Sequence, residues 1–374
     1  MKFKKSLKFV ACAFITIILF ISFTGCLDIE TPKFNNLSNF SDIDTKLKVS
    51  FIDVGQGDSI LLSSDDEFVL VDAGEKEYGE AVLDYIKSQG AKSLKYVIAT
   101  HPHSDHIGGL KTVINGIECE NFITSETDQS TTTWLNVLRA VDKNDVNFID
   151  SQPGATYSFG EAQFTVLAPL SDGYEGYNNY SVVIKATCSN ISYLLCGDAE
   201  TISEKEMLKS KEDLSADVIK LGHHGSSTSS SKAFIKAVNP SFAIISCGKN
   251  NDYGHPHKET IKTLNDFNIT YYRTDELGTI VSATDGTYLK FYSSTGNISD
   301  ETYIPSSKNT ADTSDTKDKT QTNEESYIGN KNSKIFHNPD CSGAVNMSDK
   351  NKVYFDSRDK AIENGYAPCG SCKP

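Results

Sequence analysis

From Leu47 to about Phe291 the chain alternates short apolar runs with polar turns, and after that the pattern fades. Lys48-Val49-Ser50-Phe51-Ile52-Asp53-Val54 has the near-alternating period of a half-buried strand and turns at Gly55-Gln56-Gly57-Asp58. Ser59-Ile60-Leu61-Leu62 and Phe68-Val69-Leu70-Val71 read as further strands, the second ending in Asp72-Ala73-Gly74. From Tyr78 to Ser88 the period becomes helical, with Ala81, Val82, Tyr85 and Ile86 on one face, and Gly90 stops it. Lys95-Tyr96-Val97-Ile98-Ala99-Thr100, Ser192-Tyr193-Leu194-Leu195-Cys196 and Val218-Ile219-Lys220-Leu221 follow as strands. Apolar runs therefore end repeatedly in a ligand-type residue: Asp72, His101, Asp198 and His223. Strand ends of this kind open onto the crevice in which α/β proteins hold ligands.

The pattern divides the chain. Residues 47–294 carry the strand and helix rhythm, and residues 327–374 form a last small module. Between them, residues 295–326 change composition. From Lys308 to Glu325 no aliphatic residue is larger than alanine, so too little apolar surface is available to offset the entropy of ordering, and a flexible linker is expected. Residues 1–26 begin with Lys2, Lys4, Lys5 and Lys8, continue through an apolar stretch from Phe9 to Phe23 and close on Thr24-Gly25-Cys26. This is a targeting segment rather than part of the fold. It resembles a bacterial lipobox, with Phe23 where leucine is usual, and a plain transmembrane anchor is the other reading. Lipidation at Cys26 implies an extracytoplasmic, membrane-anchored lipoprotein at the cell surface, held by about 0.8 kcal/mol per buried methylene. Residues 27–46 are a short polar tether.

Composition adds one exclusion. A net charge of −14 argues against a protein that coats nucleic acid by bulk electrostatics. It leaves room for a nuclease, in which metal ions supply the local positive charge.

All eight histidines sit in patterns suited to metal chemistry. His101-Pro102-His103-Ser104-Asp105-His106 sets three imidazoles and a carboxylate at a strand end, His223 and His224 follow another, and His255 and His257 flank Pro256. Imidazole with a hard carboxylate suits zinc, manganese or iron. The bland alternative is a histidine-rich loop without metal.

The His-x-His-x-Asp-His motif, with a later Gly197-Asp198 and a downstream histidine, resembles the metallo-β-lactamase fold. A finer pattern is similar to the extracytoplasmic nuclease-like domain of the DNA-uptake competence protein ComEC. It comprises residues 51–59, Val71-Asp72-Ala73-Gly74, Leu195-Cys196-Gly197-Asp198, Leu221-Gly222-His223-His224-Gly225-Ser226 and Gly254-His255-Pro256-His257. The resemblance covers about residues 48–293. The membrane channel of the competence protein has no counterpart, since the sequence contains one apolar span.

The resemblance implies an α/β fold, the αββα sandwich, with two adjacent divalent metal ions, zinc or manganese. His101 and His103 would hold one, Asp105 and His106 the second, and Asp198 would bridge them. His223 or His224 would complete the second position. Many members of the fold supply a third histidine to the first metal, but no histidine occurs from Ile107 to Gly197. The corresponding stretch is Tyr177-Asn178-Asn179-Tyr180-Ser181, whose amide, hydroxyl or water oxygens would fill that role. An oxygen-richer position suits Mn²⁺ better than Zn²⁺. Two metals acidify a water and stabilise charge on a phosphoryl or carbonyl oxygen. Asp105 would orient the nucleophile and His255 would serve the leaving group, with His257 behind it or merely closing its loop. Asp72 orients a ligand histidine, and Asp58 either does the same or only steadies its glycine turn.

The last module has His337-x3-Cys341 and Cys369-x2-Cys372, a set that fills one closed structural zinc site. It resembles the Ada-type metal-binding domain, here with histidine where that domain has its first cysteine, which puts methyl-accepting chemistry in doubt. A Cys369–Cys372 disulfide is the alternative.

These readings point to a membrane-tethered, extracytoplasmic phosphodiesterase or nuclease, with nucleic acid or another phosphodiester as substrate and the DNA-uptake machinery as a partner. The competing readings are an acyl hydrolase of the same fold, such as a lactonase or β-lactamase, and a non-catalytic nucleic-acid-binding lipoprotein.

Overall fold

A computed structural model describes residues 45–296, 298 and 303–304, and in the C-terminal module 327–338, 341–345, 347–355, 358–370 and 372. The basic and apolar start with Cys26, the tether up to residue 44 and most of the linker lie outside the described residues. No described helix is long and apolar enough to cross a membrane. Contacts divide the chain into residues 1–308 and 309–374.

The larger unit holds two sheets. The first sheet contains β1 (Leu47–Phe51), β2 (Ile60–Ser64), β3 (Glu67–Val71), β4 (Ser93–Ile98), β5 (Glu118–Thr124) and β6 (Asn147–Asp150). The second contains β7 (Thr156–Phe159), β8 (Ala162–Ala168), β9 (Val183–Cys188), β10 (Ile191–Leu195), β11 (Val218–Lys220), β12 (Phe242–Ile245) and β13 (Thr270–Arg273). The chain then returns to the first sheet through β14 (Ile280–Thr284) and β15 (Leu289–Ser293). The strand orders are β15-β14-β1-β2-β3-β4-β5-β6 and β13-β12-β11-β10-β9-β8-β7.

Alternation of side chains along the strands builds three apolar layers. Val49, Phe51, Leu62, Val69, Ile98 and Ile123 from one sheet meet Phe164, Val166, Ile184, Tyr193, Leu195 and Ile244 from the other. The opposite faces, such as Leu61, Leu70, Val97 and Phe122, are covered by α1 (Gly79–Ser88), α3 (Leu110–Gly116) and α4 (Thr132–Lys143). On the second sheet Leu194, Ile219 and Ala243 are covered by α5 (Thr201–Lys209), α6 (Lys232–Val238) and α7 (Lys258–Asp266). The result is a helix–sheet–sheet–helix sandwich, as the strand and helix pattern with its resemblance implied. Burial on both faces explains why β3 reads as a continuous apolar segment rather than an alternating one.

Topology positions the site. β3 and β4 are parallel neighbours in one sheet, and β10, β11 and β12 are parallel neighbours in the other. Their carboxyl ends therefore open on the same edge of the sandwich. Each strand is a residue or two shorter than its apolar run, because Thr100, Cys196 and Leu221 already belong to the turns. The histidine motif bends at once into a one-turn helix, α2 (Ser104–Ile107).

The C-terminal unit has a four-stranded sheet, Tyr327–Asn330, Ile335–His337, Lys352–Phe355 and Ala367–Pro368. Among the described residues its buried apolar cluster comprises Tyr327, Phe336, Phe355, Ala361 and Tyr366. A core this small needs a further tie to hold it.

Candidate metal centre

Asp72, His101, His103, Asp105, His106, Asp198, His223 and His224 meet where the four strand ends converge. The turn Gly55-Gln56-Gly57-Asp58 closes over Asp105. Asp58 N–H donates to the Asp105 carbonyl at 3.1 Å, and a Cβ on Gly57, whose φ is +146°, would stand 2.2 Å from that oxygen. Only glycine permits this approach.

Hydrogen bonds fix which nitrogen of each imidazole faces the centre. The Ser246 carbonyl can only accept, so His224 Nδ1, 3.0 Å away, carries the proton. His106 Nδ1 donates to Asp72 Oδ2 at 2.7 Å. Thr100 Oγ1 gives its proton to the same oxygen at 2.6 Å, and so accepts from His101 Nδ1 at 3.1 Å. In all three rings Nε2 is left with its lone pair turned inward, the state a metal ligand needs.

Two positions result. His101 Nε2 lies 3.0 Å from His103 Nδ1 and 3.7 Å from Asp198 Oδ2. His106 Nε2 lies 3.3 Å from His224 Nε2 and 3.2 Å from Asp198 Oδ1, and Asp105 Oδ2 is 3.2 Å from His224 Nε2. Asp198 spans both positions with one oxygen toward each. Its Oδ1 is buried and makes no hydrogen bond of acceptable geometry among the described residues, although two imidazole nitrogens surround it. Donor atoms packed this closely around an unsatisfied carboxylate oxygen fit a pair of divalent cations.

Asp58 also lies near the second set, within 4.8 Å of its other ligand atoms. Its Oδ2 takes the Lys220 ammonium at 2.8 Å, and its Oδ1 faces the rear nitrogen of His224 at 3.3 Å. Asp58 therefore stands behind a ligand ring, as Asp72 stands behind His106, while Asp105 faces the centre.

Charge follows the same plan. Burial would raise the Asp58 carboxyl, but the Lys220 ammonium and His224 outweigh it and bring it to about 2. Burial opposes ionisation of Asp198 and Asp105 as well, yet the surrounding imidazoles hold both far below the usual carboxylate range. Burial would lower His224, but Asp198 and the neighbouring carboxylates push it up to about 9, and His106 is raised in the same way. His101 goes the other way, lowered first by burial and then by His106.

The centre floors an open polar cavity of about 310 Å³, lined also by Gln56, Ser104, Tyr253 and His255. His255 is buried, and its Nδ1 makes no hydrogen bond among the described residues. Burial and the neighbouring imidazoles lower it to about 4, so the ring is neutral. His257 accepts from Ser227 N–H at 2.9 Å and donates to the Tyr253 carbonyl at 3.1 Å. It fastens the loop that carries His255 and does not line the cavity.

The stretch before Asp198 differs from expectation. Asn179 Oδ1 accepts from the N–H groups of Glu200 and Ser203, each at 3.2 Å, which secures the start of α5. Ser181 Oγ lies 3.3 Å from His101 Nδ1 and donor distance, 2.9 Å, from the Asp198 N–H, behind the ligands. Both of these oxygens are committed to backbone or to the rear of a ring, whereas Asn178 Oδ1 in the same stretch is buried without a hydrogen-bond partner among the described residues, its amide nitrogen facing Glu200 and His223. Lys220, Thr100, Ser246 and Glu200 were not singled out by sequence. Lys220 had a visible signal, a lysine inside the apolar run Val218–Leu221.

In the C-terminal unit the ligand atoms of His337, Cys341, Cys369 and Cys372 lie within 4.8 Å of one another, and His337 Nδ1 is 3.4 Å from Cys341 Sγ. The cysteines are free, so no disulfide joins Cys369 to Cys372. Three thiols and an imidazole make a closed set of the zinc type.

Comparison with known proteins finds related families for both units. A family model described as metallo-beta-lactamase superfamily matches residues 52–249, and one described as metal binding domain of Ada matches residues 314–374. The ComE operon protein 3 of Bacillus subtilis is 33% identical over 251 residues, 62% of this chain and 32% of that protein. Recombination protein 2 of Haemophilus influenzae is 28% identical over 222 residues, 58% of this chain and 26% of that protein. Competence protein ComA of Neisseria gonorrhoeae is 26% identical over 234 residues, 62% of this chain and 31% of that protein. The chain thus spans about a third or less of the length of these relatives.

Proposed function

Since the chain belongs to the metallo-β-lactamase superfamily of hydrolases, we propose that it is a metal-dependent phosphodiesterase that cuts nucleic acid outside the cytoplasm. The observation that carries this reading is the shape of the cleft. The cavity over the metal centre shares His255 with a second open hollow of about 590 Å³, lined by Lys249, Asn250, Asn251 and Arg273 and by Asp275 and Glu276, which pair with that arginine. Two open, polar hollows meeting at one residue fit a polymer laid across the centre better than a small acyl substrate enclosed on all sides. Relatives named for competence and recombination support the same substrate class.

His101 and His103 would hold one metal, and Asp105, His106 and His224 the other, with Asp198 shared. When bound, the pair supplies Lewis acidity toward a phosphoryl oxygen and an acidified water. Asp105 keeps one carboxylate oxygen to orient the nucleophile and take its proton. Neutral His255 offers an N–H to the departing oxygen, and an incoming phosphate anion favours its protonation. The Ada-type module would hold one structural zinc and, through Lys331, Lys334, Lys350 and Lys352, keep long polymer near the catalytic unit.

One assay series tests the reading. Full-length protein and a version ending before Tyr327 are supplied with Zn²⁺ or Mn²⁺ and given single-stranded DNA, a chromogenic phosphodiester and a chromogenic cephalosporin. Both versions should turn over the small diester at similar rates. The truncated one should cut long DNA more weakly, with a shallower salt dependence. Cephalosporin hydrolysis without diester cleavage would replace this function with acyl hydrolysis. Membrane tethering is a separate proposal, motivated by Thr24-Gly25-Cys26 after the apolar run. A fatty-acid probe should label the wild type and not Cys26→Ala, and equal labelling of both would remove the lipid anchor.

A further inference from the structure

We propose that His223 is the nitrogen ligand that the first metal position otherwise lacks, and that Glu200 is its positioning residue. The proposal rests on the two-metal reading of the site. The sequence has no histidine from Ile107 to Gly197, Asn179 and Ser181 are committed elsewhere, and the Asn178 amide nitrogen is turned toward His223. His223 stands on the same side of Asp198 as His101. Its Nε2 lies 3.8 Å from Asp198 Oδ2, and His101 Nε2 lies 3.7 Å from the same oxygen. His224 instead faces Asp198 Oδ1, at 3.5 Å. Two adjacent histidines therefore address the two oxygens of one carboxylate, which are the two sides of the centre.

Proton placement supports the assignment. Glu200 Oε1 can only accept, and His223 Nδ1 stands 3.1 Å from it. The proton is held at Nδ1 and the lone pair at Nε2, the arrangement that Asp72 imposes on His106. The backbone is shaped for it. His223 and His224 have φ of 47° and 53°, a left-handed pair without glycine. Such strain persists only where the surrounding structure and its use require it. His223 also lines the catalytic cavity, with its side chain 24% exposed. It is not among His101, His103 and Asp198, whose ligand atoms lie within 4.8 Å of one another, so to serve as a ligand its ring would have to turn toward them.

The chemical consequence is a first position of three nitrogens and one carboxylate oxygen. That set favours zinc, and it replaces the oxygen-rich, manganese-suited position expected from sequence.

The test is metal binding by the full chain, read apart from turnover. The C-terminal zinc is counted separately through a Cys369→Ser, Cys372→Ser background. Metal-stripped wild type should take up two Zn²⁺ or Co²⁺ ions in the main domain. His223→Ala should keep one and bind the other at least about tenfold more weakly, with a changed cobalt absorption spectrum. His223→Asp, which returns an oxygen donor, should recover the second ion in part and shift its preference toward Mn²⁺, an outcome a folding defect cannot give. Glu200→Gln should weaken the same ion. Two ions bound by His223→Ala as tightly as by wild type would overturn the proposal even if turnover were lost, making His223 a substrate contact. Fewer than two ions in the wild type would overturn the two-metal reading itself, and this proposal with it.

Discussion

Asp198→Ala is expected to abolish hydrolysis while leaving a folded protein. The residue sits in the turn after β10, and its buried Oδ1 makes no hydrogen bond among the described residues. Its two oxygens nonetheless face both metal positions, at 3.7 Å from His101 Nε2 and 3.2 Å from His106 Nε2. Truncation removes the shared negative charge and leaves imidazoles facing one another, so both positions weaken together. Turnover of a small phosphodiester should fall by at least about 10³-fold, the scale of losing one preorganised electrostatic element and more. The metal content of the main domain should drop from two ions to one or none. Retained turnover with two ions bound would sink the shared-carboxylate mechanism. Loss of turnover with two ions bound would leave Asp198 a catalytic role but not a bridging one.

The sandwich was legible because its strands are buried on both faces or alternate cleanly. Runs such as Phe68–Val71 and Val218–Leu221 admit few other readings, and the ligand residues stand where those runs stop. Proximity in sequence made the His101–His106 cluster visible before any fold was known. What sequence could not give was direction. His223 and His224 are chemically identical, and only the left-handed turn and the acceptors behind each ring separate their targets. Asn179 and Ser181 occupy the segment where a ligand was expected, but their hydrogen-bonding capacity goes to the turn holding Asp198. His257 resembled a catalytic partner of His255, and both its nitrogens are used to close the loop. Lys220 escaped notice because its partner, Asp58, lies 162 positions away.

That buried pair carries the second large effect. Lys220 and Asp58 are fully buried and 2.8 Å apart, and the Lys220 ammonium also donates to the Leu221 carbonyl at 2.9 Å. Asp58→Ala strands an ammonium in the interior and should destabilise the domain by about 3–5 kcal/mol in denaturant unfolding. Replacing both partners, Asp58→Asn with Lys220→Met, removes the stranded charge and should recover most of that loss. Acid sensitivity provides a second reading of the same pair. The folded Asp58 carboxyl lies at about 2, below its ordinary 3.8, so its contribution is complete above 3.8 and fades as pH falls toward 2. The double variant should lose this part of the acid transition. Activity should separate from stability, because Asp58 Oδ1 also faces His224 Nδ1 at 3.3 Å and helps the Ser246 carbonyl aim that ring. The double variant should therefore be stable yet bind metal at the His106–His224 position about 10- to 100-fold more weakly. Recovery of both properties would show that the pair only fills space, and recovery of neither would show that the ion pair itself is needed to close the Gly55–Asp58 turn over the centre.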